Sequence, residues 1–212
     1  MASLADPVRP PVRRLILVRH GDSVRGSEEA LTDAGHEQVR LTAQRLSALP
    51  PIDRIVHSPM PRAAQTAALL AAALHIDEVS TDNRLAECTP SVPAQHLLTE
   101  NQQAIFAGFG ADYLDAGAIQ AAAAAEHFLT PPQADDADQV DLLVSHANLI
   151  RWLITTAIGA GKDSWFQLGY YHCALSTIVL RPDRQPAALT VNDSNHLTSA
   201  LRGDDHPPEL RW

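Results

Sequence analysis

The chain has 212 residues, 45% hydrophobic and 19% charged, the make-up of a globular protein with an ample core, and it fits one large domain better than two small ones. No apolar run approaches the ~20 residues of a membrane span, and a net charge of −9 argues against the basic face that nucleic-acid binding requires. That charge leaves room for a phosphate site, because a few converging arginines can set the local potential against the global sign.

The opening stretch MASLADPVRPPV lacks the long apolar centre of a secretory signal. Residues 1–12 therefore read as a loosely ordered, Pro-rich lead-in to a single domain over 13–212. Cys88 and Cys173 share no metal-like spacing and imply no disulfide framework, so a reducing, cytoplasmic location is expected. Residues 14–19 are a short continuous apolar run ending in arginine, the pattern of a strand buried on both faces. Residues 32–48 predict a helix capped by Thr32, with Val39, Leu41, Ala43, Leu46 and Leu49 towards one face and Pro50-Pro51 as its stop. A second strand is expected over 53–58, an Ala-rich helix opened by prolines over 59–74, and then a short strand, EVST.

The middle, roughly 84–135, is least regular: a Pro-punctuated loop, RLAECTPSVPAQ, precedes helical material that ends in GAIQAAAAAEHFL (117–129). Its alanines carry helix propensity and no chemistry. A buried strand returns over 140–146, followed by a helix with Asn148 as its cap and Gly159 as its stop. ALSTIVLRP and AALTVND pair as strands around Pro182-Asp183-Arg184-Gln185. Alternating strands and helices make the expected fold class α/β, a sandwich of helices about a sheet.

Two strands end alike. LILVRHGDSV and DLLVSHANLI each run apolar into a histidine, His20 or His146. In open α/β sheets ligands bind beyond the carboxyl ends of strands, so the two imidazoles can meet at one rim. The strand RIVHS sends Arg62 into the first turn of the next helix, where free amide N–H groups favour an anion. Arg19 adds a second forked, permanently charged donor beside His20. Taken singly, each residue has a plain reading: Arg19 as a surface group, Arg62 as a helix-face cation, Gly21 as a turn glycine. Their conjunction at one edge is the equipment for gripping a phosphoryl group.

The segments LVRHGDS, LTDAGHEQV, HSPMPRAAQTA, LAE and LLVSHANLIR, in this order, resemble the histidine phosphatase superfamily, also called the phosphoglycerate mutase-like family. A lone RHG would be weak; the set is specific, and the resemblance runs from about Arg14 to about Asn195. RIVHS, STDNRLAECTP and HANLIR resemble in particular the phosphoglycerate mutase family member five type of mitochondrial serine/threonine phosphatase. The membrane anchor and multimerisation segment of that type have no counterpart here, which speaks against expecting its mitochondrial location and higher assembly.

The resemblance implies a phosphoglycerate mutase-like, three-layer αβα sandwich with a mostly parallel central sheet. It implies His20 as nucleophile, attacking phosphorus to give a phosphohistidine, with Arg19, Arg62 and His146 around the equatorial oxygens. Glu87 would be the general acid and base, and Ser23 a further phosphate contact, although a plain turn serine is an equal reading. Arg25 would meet a second negative group of the substrate. His57 reads as packed rather than catalytic. Neither a metal nor another cofactor is required, since arginines stand where a divalent cation would. The expected partner is a phosphorylated small molecule or a phosphoprotein, with no nucleic acid and no membrane. Phosphoglycerate mutase activity is an enzymatic alternative, disfavoured by the short acidic stretch GDSVRGSEEAL after His20. A non-catalytic phosphate-binding protein is an alternative of another class. Substrate selectivity falls to segment 88–135, and WFQLGYYH (165–172) is open to three readings: pocket wall, homodimer contact or core.

Overall fold

The computed structural model describes residues 9–24 and 30–202. Arg25 and residues 1–8 of the lead-in lie outside them. Among the described residues six strands form one sheet: β1 (Arg13–Arg19), β2 (Arg54–His57), β3 (Val79–Thr81), β4 (Gln139–Ser145), β5 (Leu175–Arg181) and β6 (Arg184–Asp193). Their spatial order is β3-β2-β4-β1-β5-β6. The pairs β3/β2, β2/β4 and β4/β1 are parallel, whereas β5 and β6 run antiparallel to their neighbours.

The continuous apolar run of β1 is explained by what lies on each side. Leu15 and Leu17 pack into one buried cluster with Leu143, α4 (Ala111–Phe128) and α5 (Ala147–Ala157). Ile16 and Val18 pack into the other with Leu142, Val144, α1 (Asp33–Leu46) and α2 (Pro61–Leu74). Successive side chains on a strand point to opposite faces, so a strand between two helix layers must be apolar at every position. The result is the expected three-layer arrangement. Two short helices, α3 (Glu100–Ala107) and α6 (Ser199–Arg202), are the remaining α-helices among the described residues.

Local chemistry fixes the ends. The Thr32 side chain accepts the Gly35 N–H and caps α1, which stops at Leu46, ahead of Pro50-Pro51. Pro61 occupies the first turn of α2, and His75 closes that helix in the left-handed region at φ 56°. The cap of α5 differs from expectation. His146, in extended backbone at φ −124°, is the N-cap, and Asn148 lies inside the first turn, accepting from Arg151 Nη1 at 3.4 Å. Gly159, at φ +67°, ends the helix as expected. The turn between β5 and β6 is also tighter than predicted, since β6 already begins at Arg184. In the middle segment, α4 runs from Ala111 into the expected alanine stretch, and its small side chains let Trp152 of α5 donate from Nε1 to the Ala121 carbonyl at 3.1 Å. No helix among the described residues is long and apolar enough to cross a membrane.

Candidate active site

Strands β2, β4 and β1 are adjacent, so their carboxyl ends form one edge. The chain is stitched together there by main-chain bonds beyond the strands themselves. The His20 N–H donates to the Ser145 carbonyl, and the Ser58 N–H to the Val144 carbonyl, each at 3.0 Å. The Gly21 N–H donates to Thr66 Oγ1 at 3.0 Å, tying the turn after β1 to α2. A Cβ at Gly21 would stand 2.9 Å from the Gly35 carbonyl oxygen, so glycine is needed here for close approach to α1.

On this platform the two histidines predicted from the sequence face each other, with ring centroids 5.0 Å apart. Arg62 reaches in from the first turn of α2 and bonds both. Its Nε donates to His20 Nε2 at 3.0 Å, and its Nη2 lies 3.1 Å from His146 Nδ1. A guanidinium can only donate, so both of those ring nitrogens are unprotonated. The remaining nitrogens carry the hydrogens: His20 Nδ1 donates to the Gly21 carbonyl at 2.8 Å, and His146 Nε2 to Ser58 Oγ at 2.8 Å. Both rings are buried, at 5% and 0% exposure. Burial, reinforced by Arg19 and Arg62, holds His20 down to about 3. Burial, His20 and the two arginines hold His146 down to about 2. At neutral pH both imidazoles are therefore neutral, and His20 presents a lone pair on Nε2.

Arg19 ends β1 with one donor, Nη1, on the Tyr170 carbonyl at 2.6 Å. Its Nε is buried with no hydrogen-bond acceptor among the described residues. Burial draws its pKa down to about 10, against the pull of Glu87, so it stays charged at neutral pH. A buried guanidinium N–H without an acceptor is suited to an anionic oxygen. Glu87 follows the short 3₁₀ turn Asn83–Leu85 and accepts the Cys88 N–H at 3.3 Å. Burial pushes its carboxyl upward, and the fields of Arg19, Arg62 and Arg151 oppose that rise.

Ser23 forms an antiparallel bridge with Leu31, and its hydroxyl bonds none of Arg19, His20, Arg62 or His146. His57 is held through Nδ1 at the Ser58 carbonyl (2.8 Å) and Nε2 at Thr81 Oγ1 (3.2 Å), as befits a packed residue. Among the described residues, no cluster of His, Cys, Asp or Glu is arranged to hold a metal ion.

Three further groups belong to this edge and were not singled out from the sequence. Ser58 orients His146. Arg151, buried on α5, adds positive charge felt by Glu87 and Arg19. His172 lies with its ring centroid 5.2 Å from that of His20. The stretch 165–172 is thus partly core, through Trp165 and Tyr170, and partly a wall of the site.

The family model of the histidine phosphatase superfamily (branch 1) matches residues 15–194, which span every group just described. The chain belongs to the histidine phosphatase superfamily. Among known proteins it is similar to the mitochondrial serine/threonine-protein phosphatase PGAM5 of Mus musculus, at 30% identity over 193 residues; the match takes in 87% of this chain and 64% of that protein. The human protein of the same name matches at 30% identity over the same shares. The chain thus spans a little under two thirds of the length of these relatives. Among solved structures, the fold of this chain is shared with a phosphoserine phosphatase from Entamoeba histolytica in complex with 3-phosphoglyceric acid. That likeness has a TM-score of 0.64 and 20% identity, over 88% of this chain and all of that one. A phosphoglycerate mutase from Plasmodium falciparum is also similar, with a TM-score of 0.60 and 21% identity over 85% and 91% of the two chains. One fold therefore carries both phosphatases and mutases, and a distinction between them must come from the site.

Proposed function

We propose that this histidine phosphatase is a metal-independent phosphomonoesterase that hydrolyses phosphoserine or phosphothreonine in protein through a phosphohistidine at His20. The observation that carries the reading is the Arg62 guanidinium shared between His20 Nε2 and His146 Nδ1, because it fixes which nitrogen of His20 holds the lone pair. The protein substrate is supported by the likeness to serine/threonine-protein phosphatases.

A phosphoryl dianion offers arginine better acceptors than a neutral ring does. On binding, Arg62 turns its donors to the phosphoryl oxygens and releases His20 Nε2. The buried Arg19 Nε donates to another oxygen. The incoming negative charge raises the proton affinity of His146, which takes a proton from solvent on Nδ1 and so changes there from acceptor to donor. His20 Nε2 then attacks phosphorus in line, the P–O ester bond breaks, and the leaving alkoxide takes the Glu87 proton. The raised pKa of Glu87 favours the protonated form needed for this step. In the second half, water attacks the phosphohistidine, the Glu87 carboxylate takes its proton, and the P–N bond breaks to restore His20. The arginines stabilise charge spread over the phosphoryl oxygens in both halves.

The test is a panel of p-nitrophenyl phosphate, a phosphoserine peptide and 3-phosphoglycerate, run on wild type, His20→Ala and Glu87→Gln. His20→Ala is expected to be inactive on all three. In kcat/KM, which reports phosphoryl transfer to His20, Glu87→Gln should lose ~10²–10⁴-fold on the alkyl phosphates and far less on p-nitrophenyl phosphate, whose leaving group needs no proton. Phosphate release by His20→Ala would contradict the proposal, as would phosphopeptide binding by the wild type without turnover. Isomerisation of phosphoglycerate without phosphate release would mark a mutase instead.

A further inference from the structure

The edge that holds His20 and His146 has a third imidazole, contributed from the other side of β1. Strand β5 pairs with β1 in the antiparallel sense, with Leu175 opposite Val18, so the residues that precede β5 lie at the carboxyl end of β1. In the order β4-β1-β5 the edge therefore presents His146, His20 and His172 from three neighbouring chain segments. The His20 ring is 5.0 Å from His146 and 5.2 Å from His172, centroid to centroid.

His172 is also held in place from both sides. The Tyr171 N–H donates to Asn192 Oδ1 at 2.9 Å, and the Cys173 N–H donates to the Arg19 carbonyl at 3.0 Å. Cys173, fully buried, adopts φ 55°, a left-handed conformation that costs a non-glycine residue energy and recurs at functional sites. This bend turns the chain from the Tyr170 carbonyl, which accepts from Arg19, into β5. The ring itself is 27% exposed at the mouth, with Nδ1 3.9 Å from Asp22 Oδ1, an ion-pair distance when the ring is protonated. Asp22 is in turn fixed by the Thr32 hydroxyl, which donates to Oδ2 at 2.7 Å, and by its own N–H to Gln38 Oε1 at 2.7 Å.

We infer that His172 is a further substrate-contacting residue, whose ring donates a hydrogen bond to the phosphoryl group on the flank of His20 opposite His146. The inference rests on the phosphohistidine reading above. It gives the oxygens of the bound group donors on both flanks of the nucleophile, with the Asp22 carboxylate 3.9 Å from the mouth-side imidazole.

The experiment compares wild type, His172→Ala, His172→Gln and His20→Ala for kcat and KM on a phosphoserine peptide, for inhibition by inorganic phosphate, and for melting temperature. His172→Ala should lower kcat/KM by ~10²-fold, the effect of removing one transition-state donor, and should weaken inhibition by phosphate. His172→Gln keeps a side-chain donor and should recover part of both, at a melting temperature equal to that of His172→Ala. Unchanged kcat/KM and phosphate inhibition in His172→Ala would overturn the inference. Equal losses in both variants would do so as well, since they mark a packing role. His20→Ala separates the two levels. If it is active, the phosphohistidine reading fails; if it is inactive beside a normal His172→Ala, only the role of His172 fails.

Discussion

Charged groups gather at both ends of the layer formed by β1, β4 and β2, and the two ends are built on opposite plans. Towards the amino ends, the fully buried Asp141 carboxylate of β4 lies between two arginines. It accepts from Arg13 of β1 at 2.7 and 2.8 Å, and from Arg54 of β2 at 2.8 and 3.2 Å. Its oxygens are filled, and the triad fastens three strands. At the carboxyl ends, Arg19 and Arg62 meet neutral imidazoles and a half-buried glutamate, and the Arg19 Nε has no acceptor among the described residues. Paired charge at one end of a sheet is a structural fastening. Concentrated positive charge at the other end, with the Arg19 Nε lacking an acceptor among the described residues, is suited to an anion. The same residue type, arginine, serves both, and its partners decide which.

The comparison is sharpened most by exchanging the two kinds of loss. Arg19→Ala should reduce kcat/KM on a phosphoserine peptide by ~10²–10³-fold, while leaving unfolding stability within about 1 kcal/mol of wild type. Asp141→Ala should do the reverse. It strands two arginines at a buried position and should cost about 3–5 kcal/mol in urea denaturation, with activity per folded molecule retained. If Arg19→Ala unfolds the protein, or Asp141→Ala removes activity without loss of stability, the division between the ends is wrong.

A smaller effect comes from acid. His20 and His146 are neutral in the fold down to about 3 and about 2. In the unfolded chain each takes a proton near pH ~6.5. Between those limits the unfolded state binds more protons, so stability must fall as pH falls below ~6.5, by about 1.4 kcal/mol per pH unit for each histidine. Glu87 works in the other direction: its raised pKa favours the fold at low pH, and that contribution is lost as pH rises. Denaturation measured from pH 7 to 5 should show the decline in wild type and a shallower one in His146→Asn. An equal slope in both would contradict the neutral, buried state of His146.

The parts legible in the sequence are those with a simple physical signature. A strand between two helix layers must be apolar throughout, so LILV and LLV announced the central strands, and the histidines after them followed from the carboxyl-end rule. Arg62 was visible because proline marks a helix start. His172 escaped for the converse reason: it precedes a strand, and only the antiparallel pairing of β5 brings it to the same rim. Asp141 gave no signal, since one acid inside VDLLVSH looks like a surface position until both flanking strands supply an arginine. The extent of α4 was hidden by alanine, which is compatible with either face of a helix and leaves little periodicity to read. Asn148 suits a cap by residue type alone, whereas the chain enters α5 two residues earlier at His146.

The central claim is that the carboxyl edge aims the lone pair of His20 Nε2 at phosphorus. It is tested most directly by rapid quench of wild type and Glu87→Gln with p-nitrophenyl phosphate, followed by peptide mapping under alkaline conditions that preserve phosphohistidine. The account predicts one phosphoryl group, acid-labile, on Nε2 of His20, absent from His20→Ala. A phosphoryl group on another residue, or turnover with no trapped phosphoenzyme in either protein, would contradict it.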